Sequence, residues 1–248
     1  MARNIIVWIN LVILTIVFGV IIMIFSPFDL KGYVFKTSAK FWSVILLKLS
    51  GVTYRVKGLE NLDKSNHYFF ASNHESAFDI PLIFSSLPFY TVTLAKIELR
   101  KIPFLGWAMV ASRHIFVDRK NREKSAKSLR EMMRSFQKTP RSLLIFPEGA
   151  RSLDGEIRTF KKGGIFLAIQ LNMAVVPVAV CGTREIVLKH ALKVQPGSVE
   201  FKIGKPINPE EWVDKDPADF ANYVQQNVIK LKELWEEEKK MDNIPEPA

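Results

Sequence analysis

The chain has 248 residues, 48% of them hydrophobic, with 35 Lys and Arg against 25 Asp and Glu for a formal net charge of +10. That length allows one large domain or two small ones around a substantial core, and the lone Cys181 excludes an internal disulfide and suits a reducing compartment. A basic balance fits nucleic acid or an anionic membrane; with no zinc spacing, basic zipper or aromatic RNP-like strand, it points to an anionic bilayer or anionic lipid and not to nucleic acid.

The first element is Ile5 to Phe25, a run without charge broken only by Asn10, Thr15 and Gly19. As a helix it spans roughly 30 Å, one hydrocarbon core. It is too long for the apolar region of a signal peptide, and Ser26-Pro27-Phe28-Asp29 reads as a helix stop rather than a cleavage site, so the expectation is a retained membrane segment. From Tyr33 to Leu49, Lys36, Lys40 and Lys48 share one helical arc while Phe41, Trp42, Ile45 and Leu49 share the opposite one. That pattern predicts an interfacial helix with its apolar face in the headgroup boundary. The pair spans the bilayer or dips into one leaflet and returns; the sequence leaves both open. Lysines after the apolar run, against the lone Arg3 before it, place the body of a spanning chain in the cytoplasm.

After about residue 52 the pattern becomes α/β. Strand-like runs fall at Tyr68–Ser72, Thr91–Ala95, Ile115–Val117, Ser142–Phe146, Ala174–Val180 and Val199–Ile203. Helical periodicity is clearest at Glu123–Gln137, Phe160–Leu171 and Pro217 to about Lys240, the last with Phe220, Val224, Val228, Leu231 and Trp235 on one face. Alternating strands and helices predict a mixed, mostly parallel sheet covered by helices. Pro177 marks its strand as edge or bulged. Glu236 to Lys240 reads as a solvated helix end. The predicted division is residues 1–50 for the membrane-associating helix pair and 51–248 for an α/β domain.

Asn73-His74-Glu75-Ser76-Ala77-Phe78-Asp79 follows the first of these strands. A histidine takes a proton from a reacting hydroxyl, and a nearby carboxylate fixes its tautomer and stabilises the imidazolium. Phe146-Pro147-Glu148-Gly149-Ala150-Arg151-Ser152 leaves another strand in a tight turn, where Gly149 permits positive φ and Arg151 presents a planar fork for phosphate. Phe160-Lys161-Lys162-Gly163-Gly164 opens a helix whose free N–H groups form a further anion site, or a solvated charge pair. Lys96 and the Asp118-Arg119 pair also close strands, where open α/β sheets bind ligands.

Other patterns lead nowhere. His74-Glu75 lacks the second histidine of a zinc protease, since position 78 is Phe, so no metal site is expected. His67, His114 and His190 have no ligand spacing and read as structural. Ser72 and Ser76 lack a Gly-x-Ser-x-Gly elbow. Lys124, Lys127, Arg130, Arg134 and Lys138 surround Leu129, Met132, Met133 and Phe136, which fits a core-packed helix with a solvated basic face, a membrane-contacting surface, or a docking face for an acidic carrier protein.

The ordered set His74-x4-Asp79, Ile115-Phe116-Val117-Asp118-Arg119, Phe146-Pro147-Glu148-Gly149-x-Arg151-Ser152 and Val176-Pro177-Val178 resembles the four sequence blocks of the glycerolipid acyltransferases. It is most similar to the bacterial 1-acyl-glycerol-3-phosphate acyltransferases over roughly residues 50–210. The resemblance implies an enzyme that moves a fatty acyl chain from acyl-CoA or acyl carrier protein to the sn-2 hydroxyl of lysophosphatidic acid, on the cytoplasmic face of the cell membrane and without a cofactor. It implies His74 as general base and Asp79 as its orienting partner. Lys96, Arg119 and Arg151 would hold the acceptor phosphate, Glu148 and Gly149 would shape the acceptor site, and Pro177 would line the acyl side. Two positions depart from the blocks: Ala150 stands where a threonine is usual, and Arg113 where a glycine is usual, which would place a side chain against the acceptor pocket. The same chemistry on another lyso-lipid, including a lyso-ornithine lipid, and a non-catalytic lipid-binding relative are the alternative readings.

Overall fold

The computed structural model describes residues 2–118, 122–188 and 191–242. Two helices come first, α1 (Ala2–Phe25) and α2 (Tyr33–Leu49), joined by a short 3-10 turn at Ser26–Phe28. Then follow β1 (Val52–Lys57), β2 (Phe69–Ser72), α3 (Asp79–Ser86), β3 (Thr91–Lys96), α4 (Leu105–Ala111), β4 (Ile115–Val117), α5 (Arg122–Lys138) and β5 (Ser142–Ile145). The chain continues through α6 (Lys162–Leu171), β6 (Val175–Cys181), α7 (Thr183–Ile186), β7 (Gly197–Ile203) and α8 (Pro217–Asp242).

The seven strands form one sheet in the order β1-β7-β6-β2-β5-β3-β4. All neighbouring pairs are parallel except β6 with β7, as the mostly parallel pattern predicts. Central strands are apolar on both faces because helices cover both. In β2, Phe69 and Ala71 point into a core shared with Val224 and Val228 of α8 and Met132 of α5. Phe70, on the opposite face, packs with Leu46 and Leu47 of α2 and Leu82 and Ile83 of α3. Each such fully buried side chain contributes about 2 kcal/mol of transfer free energy, so the sheet centre is the most firmly held part of the molecule.

Of the two positions expected for Pro177, edge or bulge, the structure shows the bulge: β6 lies inside the sheet. Pro177 is tolerated because β7 leaves register beside it. Val175 pairs with Ile207 and Val178 with Ile203, so Gly204, Lys205 and Pro206 stand opposite only Val176 and Pro177. The missing proline N–H falls within that bulge, while the Pro177 carbonyl still accepts the Gly204 N–H at 2.9 Å.

The apolar face expected for α2 is also different. Phe35, Ala39, Leu46 and Leu47 are buried, and the helix packs chiefly against α3. Trp42 is half-buried, its indole N–H donating to the Thr15 hydroxyl at 3.2 Å, while Phe41 and Leu49 remain exposed. Packing against α3 and α1 therefore leaves an exposed apolar arc narrower than composition suggests. Helix α1 is docked along its length: Arg3 and Trp8 donate to the Val194 and Leu192 carbonyls, and Gly19 lies against Phe104, where a Cβ would come within 3.2 Å of the carbonyl. Arg3–Phe25 is long and apolar enough to cross a membrane, and Ile5, Ile9, Val12, Ile13 and Val17 are exposed.

In α5, Met132 and Phe136 are buried in the core with Leu129 and Met133 packed against them, leaving Arg130, Arg134 and Lys138 exposed. This is the core-packed arrangement. Its last turn is closed by the buried Arg141, whose guanidinium donates to the Ser135 and Thr139 carbonyls and lies 4.1 Å from the Phe136 ring centroid. The end of α8 is not simply solvated. Glu238 accepts from both Lys57 and Lys202 at 2.8 Å, and Lys239 bonds Glu185 at 3.0 Å. His190 lies outside the described residues.

Candidate active site

The parallel strands β2, β5, β3 and β4 all end on one side, and their carboxyl ends deliver the polar residues singled out in the sequence. His74 follows β2, Lys96 closes β3, Asp118 follows β4, and Glu148 to Arg151 follow β5. This is the edge where an open α/β sheet leaves room for a ligand.

The loop after β2 is fixed by Asp79, the first residue of α3. Pro81 sits in the first turn, where its missing N–H costs no helical bond, and the extended Leu87 before Pro88 ends the helix. The wholly buried Asp79 carboxylate accepts the Glu75 N–H at 2.8 Å, the Ser76 N–H at 3.0 Å and His74 Nδ1–H at 2.6 Å with one oxygen. Its other oxygen accepts the Thr183 hydroxyl. Because a carboxylate only accepts, the His74 proton belongs on Nδ1, which leaves the Nε2 lone pair available. The imidazole also stacks on Phe146, with centroids 4.0 Å apart and planes at 22°.

Glu148 approaches the same histidine from behind. One carboxylate oxygen accepts the His74 N–H at 2.7 Å and the other the Arg158 N–H at 3.0 Å. Burial pushes its pKa up, partly opposed by those backbone bonds. The Ser152 N–H donates to the His74 carbonyl at 2.7 Å, so His74 is held at both its amide and its carbonyl. Gly149 has φ of 80°, so the turn needs glycine for its conformation, while the Lys161 side chain that lies against it is flexible enough to give way.

His74 opens onto a cavity of about 1090 Å³. Lys96, Arg151, Gly149 and Ala150 line it together with His74, and Ile16, Gly19, Ile22, Phe35, Phe104 and Ala108 supply apolar wall. Lys96 is about half exposed and pairs with Glu98 at 3.0 Å. Arg119 lies outside the described residues. The expectations for Arg113 and Pro177 are corrected. Arg113, in a left-handed turn with φ of 59°, sends its guanidinium to the Asp29 carbonyl at 3.2 Å and does not line the cavity. Pro177 lines a separate cleft with Ile203 and Trp212, toward the other end of the sheet. His114 is buried in the cavity wall, its Nδ1 accepting the Thr93 N–H at 3.1 Å, and burial lowers its pKa to about 3.

Four contributors have no role in the sequence reading. Asn73 clamps the loop to β6 with two bonds of 2.9 Å to Val180; Thr183 backs Asp79; and Glu75 pairs with Lys232 of α8. Asn73 and Glu75 adjoin His74 in sequence, but nothing local marks Thr183 or Lys232, which the fold brings from more than a hundred residues away.

A family model described as Acyltransferase matches residues 53–181, more than half of the chain. The chain belongs to that acyltransferase family. The 1-acyl-sn-glycerol-3-phosphate acyltransferase of Cocos nucifera is 31% identical over 84% of this chain and 67% of its own length. Those of Saccharomyces cerevisiae and Borreliella burgdorferi are 34% and 30% identical, over 80% and 76% of this chain and 66% and 75% of theirs. The acyltransferase thus spans about two thirds of the length of several of these relatives. The crystal structure of the 1-acyl-sn-glycerophosphate acyltransferase from Thermotoga maritima superimposes with a TM-score of 0.76 at 25% identity, over 93% of this acyltransferase and 96% of that chain.

Proposed function

We propose that this acyltransferase moves a fatty acyl chain from a thioester of coenzyme A or acyl carrier protein to the sn-2 hydroxyl of 1-acyl-sn-glycerol-3-phosphate, giving phosphatidic acid. The observation that carries the reading is the placement of an oriented His–Asp pair at the mouth of a large apolar cavity. His74 Nε2 accepts the proton of the acceptor hydroxyl as its oxygen attacks the thioester carbonyl carbon. The tetrahedral intermediate collapses by breaking the carbon–sulfur bond, and the imidazolium returns the proton to the departing thiolate. Asp79 holds the ring in the reactive tautomer and stabilises its charged form. No protein nucleophile is needed, and the buried Cys181, whose pKa burial pushes far up, plays no part.

Lys96 and Arg151 supply positive charge for the acceptor phosphate, with Arg119 a third contributor from the sequence. Gly149 shapes the turn that presents Arg151. Glu148 acts indirectly, through the backbone of His74. The apolar part of the cavity takes an acyl chain, whose transfer from water is worth about 0.8 kcal/mol per buried methylene. The exposed apolar stripe of α1, with Phe28 and Leu30 beyond it, enters an anionic bilayer, and the α/β body sits on the cytoplasmic face where lyso-lipid and product reside.

The test is acceptor competition. Purified protein in lipid, given a palmitoyl thioester and an equimolar mixture of 1-acyl-glycerol-3-phosphate with uncharged and zwitterionic lyso-lipids, is expected to yield phosphatidic acid as the main product. Preferential acylation of a lyso-lipid lacking a terminal phosphate, such as a lyso-ornithine lipid, would overturn the acceptor assignment.

A further inference from the structure

We infer that Lys232, on the C-terminal helix, is a positioning residue for catalysis: its pairing with Glu75 holds the loop that carries His74. The Lys232 ammonium donates to the Glu75 carboxylate and to the Gly155 carbonyl, the latter at 2.6 Å. The two side chains are 14% and 4% exposed. Glu75 adjoins His74 in the chain, and its carboxylate also accepts from Asn73 at 3.1 Å, the residue that clamps this loop to β6. Gly155 belongs to the segment whose Ser152 N–H holds the His74 carbonyl and whose Arg158 N–H holds Glu148. One ammonium therefore joins α8 to both segments that grip the His74 backbone.

A buried ion pair is weak evidence for stability, because desolvating both charges offsets their attraction. Its worth here is geometric. Four ion pairs join α8 to the rest of the described residues; those of Glu238 and Lys239 are more exposed and reach β1, β7 and α7, whereas that of Lys232 reaches the loop carrying His74. Burial raises the Glu75 pKa to about 7, against the opposing pull of Lys232, so removing the cation leaves a carboxyl group that favours its neutral form beside Asp79. Lys232 lies beyond residues 53–181, outside the region that marks the family.

The inference rests on His74 as the base, and the experiment separates the two. Steady-state acyl transfer from palmitoyl-CoA to 1-acyl-glycerol-3-phosphate is measured for the full chain and for Lys232→Met, Lys232→Arg, Glu75→Gln/Lys232→Met and His74→Ala, with thermal midpoints for each. A displaced catalytic group costs roughly ten- to hundredfold, so Lys232→Met should lose that much kcat with KM little changed. Lys232→Arg, which keeps charge and donors, should recover most of it. The double variant, which leaves no titratable carboxyl buried at that site, should regain the wild-type thermal midpoint but not its kcat. Wild-type kcat in Lys232→Met would overturn the assignment; so would a double variant that regains kcat together with stability, since the role would then be structural. Should Lys232→Met fail to fold, the double variant carries the same test. Loss of turnover in His74→Ala with normal turnover in the Lys232 variants would sink Lys232 alone, whereas persistent turnover in His74→Ala would sink the base.

Discussion

Around His74 the polar groups of the cavity are bonded several times over, whereas the walls supplied by the helices are defined by apolar shape. Asp79 alone accepts four donors, and the His74 backbone is held at both its amide and its carbonyl. Those walls carry side chains of α1, α2 and α4, such as Ile16, Phe35 and Ala108. Hydrogen bonds fix a reacting atom to within a fraction of an ångström, as proton transfer requires. Apolar walls exclude by volume and tolerate change, which suits a flexible hydrocarbon chain. The contrast predicts that changes near His74 alter rate and changes in the apolar wall alter substrate choice.

The largest expected effect is Asp79→Asn. The amide leaves the loop close to its shape but permits the wrong imidazole tautomer, so kcat should fall by roughly 10²–10⁴ with acceptor KM nearly constant. A smaller drop, or one confined to KM, would break the distinction between the two regions. Arg151→Ala removes a charged hydrogen-bonding fork and should raise the KM for the phosphate acceptor roughly ten- to hundredfold while the donor KM stays put. Titrating each substrate separately checks this.

Ile16→Trp sharpens the comparison from the other side. Ile16 lines the apolar wall and is partly exposed, so the larger ring can be accommodated without emptying the core. Competition between long and short acyl donors should shift toward the short ones by about tenfold, with kcat for the short donor retained. Unaltered chain preference would place the acyl group elsewhere. The smallest effect concerns pH. The Glu75 pKa of about 7 in the folded chain stands above its ordinary value of 4.5. Between those values the folded state keeps a proton that the unfolded state has lost, so stability is greatest below the window and falls as pH rises through it. Thermal melts from about pH 5 to about pH 7 should show that decline in wild type and a flatter course in Glu75→Gln.

Much of this was legible in the sequence because strand ends carry the chemistry. The runs before His74, Lys96 and Glu148 are apolar and short, and each proved to be a strand whose carboxyl end faces the cavity. What stayed hidden depends on contacts distant along the chain. Strand β1 carries exposed Thr53 and half-buried Tyr54 among charges, so its pairing with β7 leaves no apolar run to detect. Pro177 indicated a bulge, but not that the partner strand supplies it. Arg113 stands in a glycine-like conformation, and its side chain follows a path to Asp29 that only the packing of the helical pair defines. In the sequence Lys232 is one charge among many on α8, because the periodicity of a helix reports which residues share a face and not which loop that face meets.

The most direct test of the central claim is acyl transfer from palmitoyl-CoA to 1-acyl-glycerol-3-phosphate by wild type beside His74→Ala, with folding checked by circular dichroism and lipid binding by vesicle flotation. Turnover falling by roughly 10²–10⁴ with fold and binding intact is the result expected of a general base. Turnover within a few-fold of wild type would contradict it and move the proton-accepting role to another group at the cavity mouth.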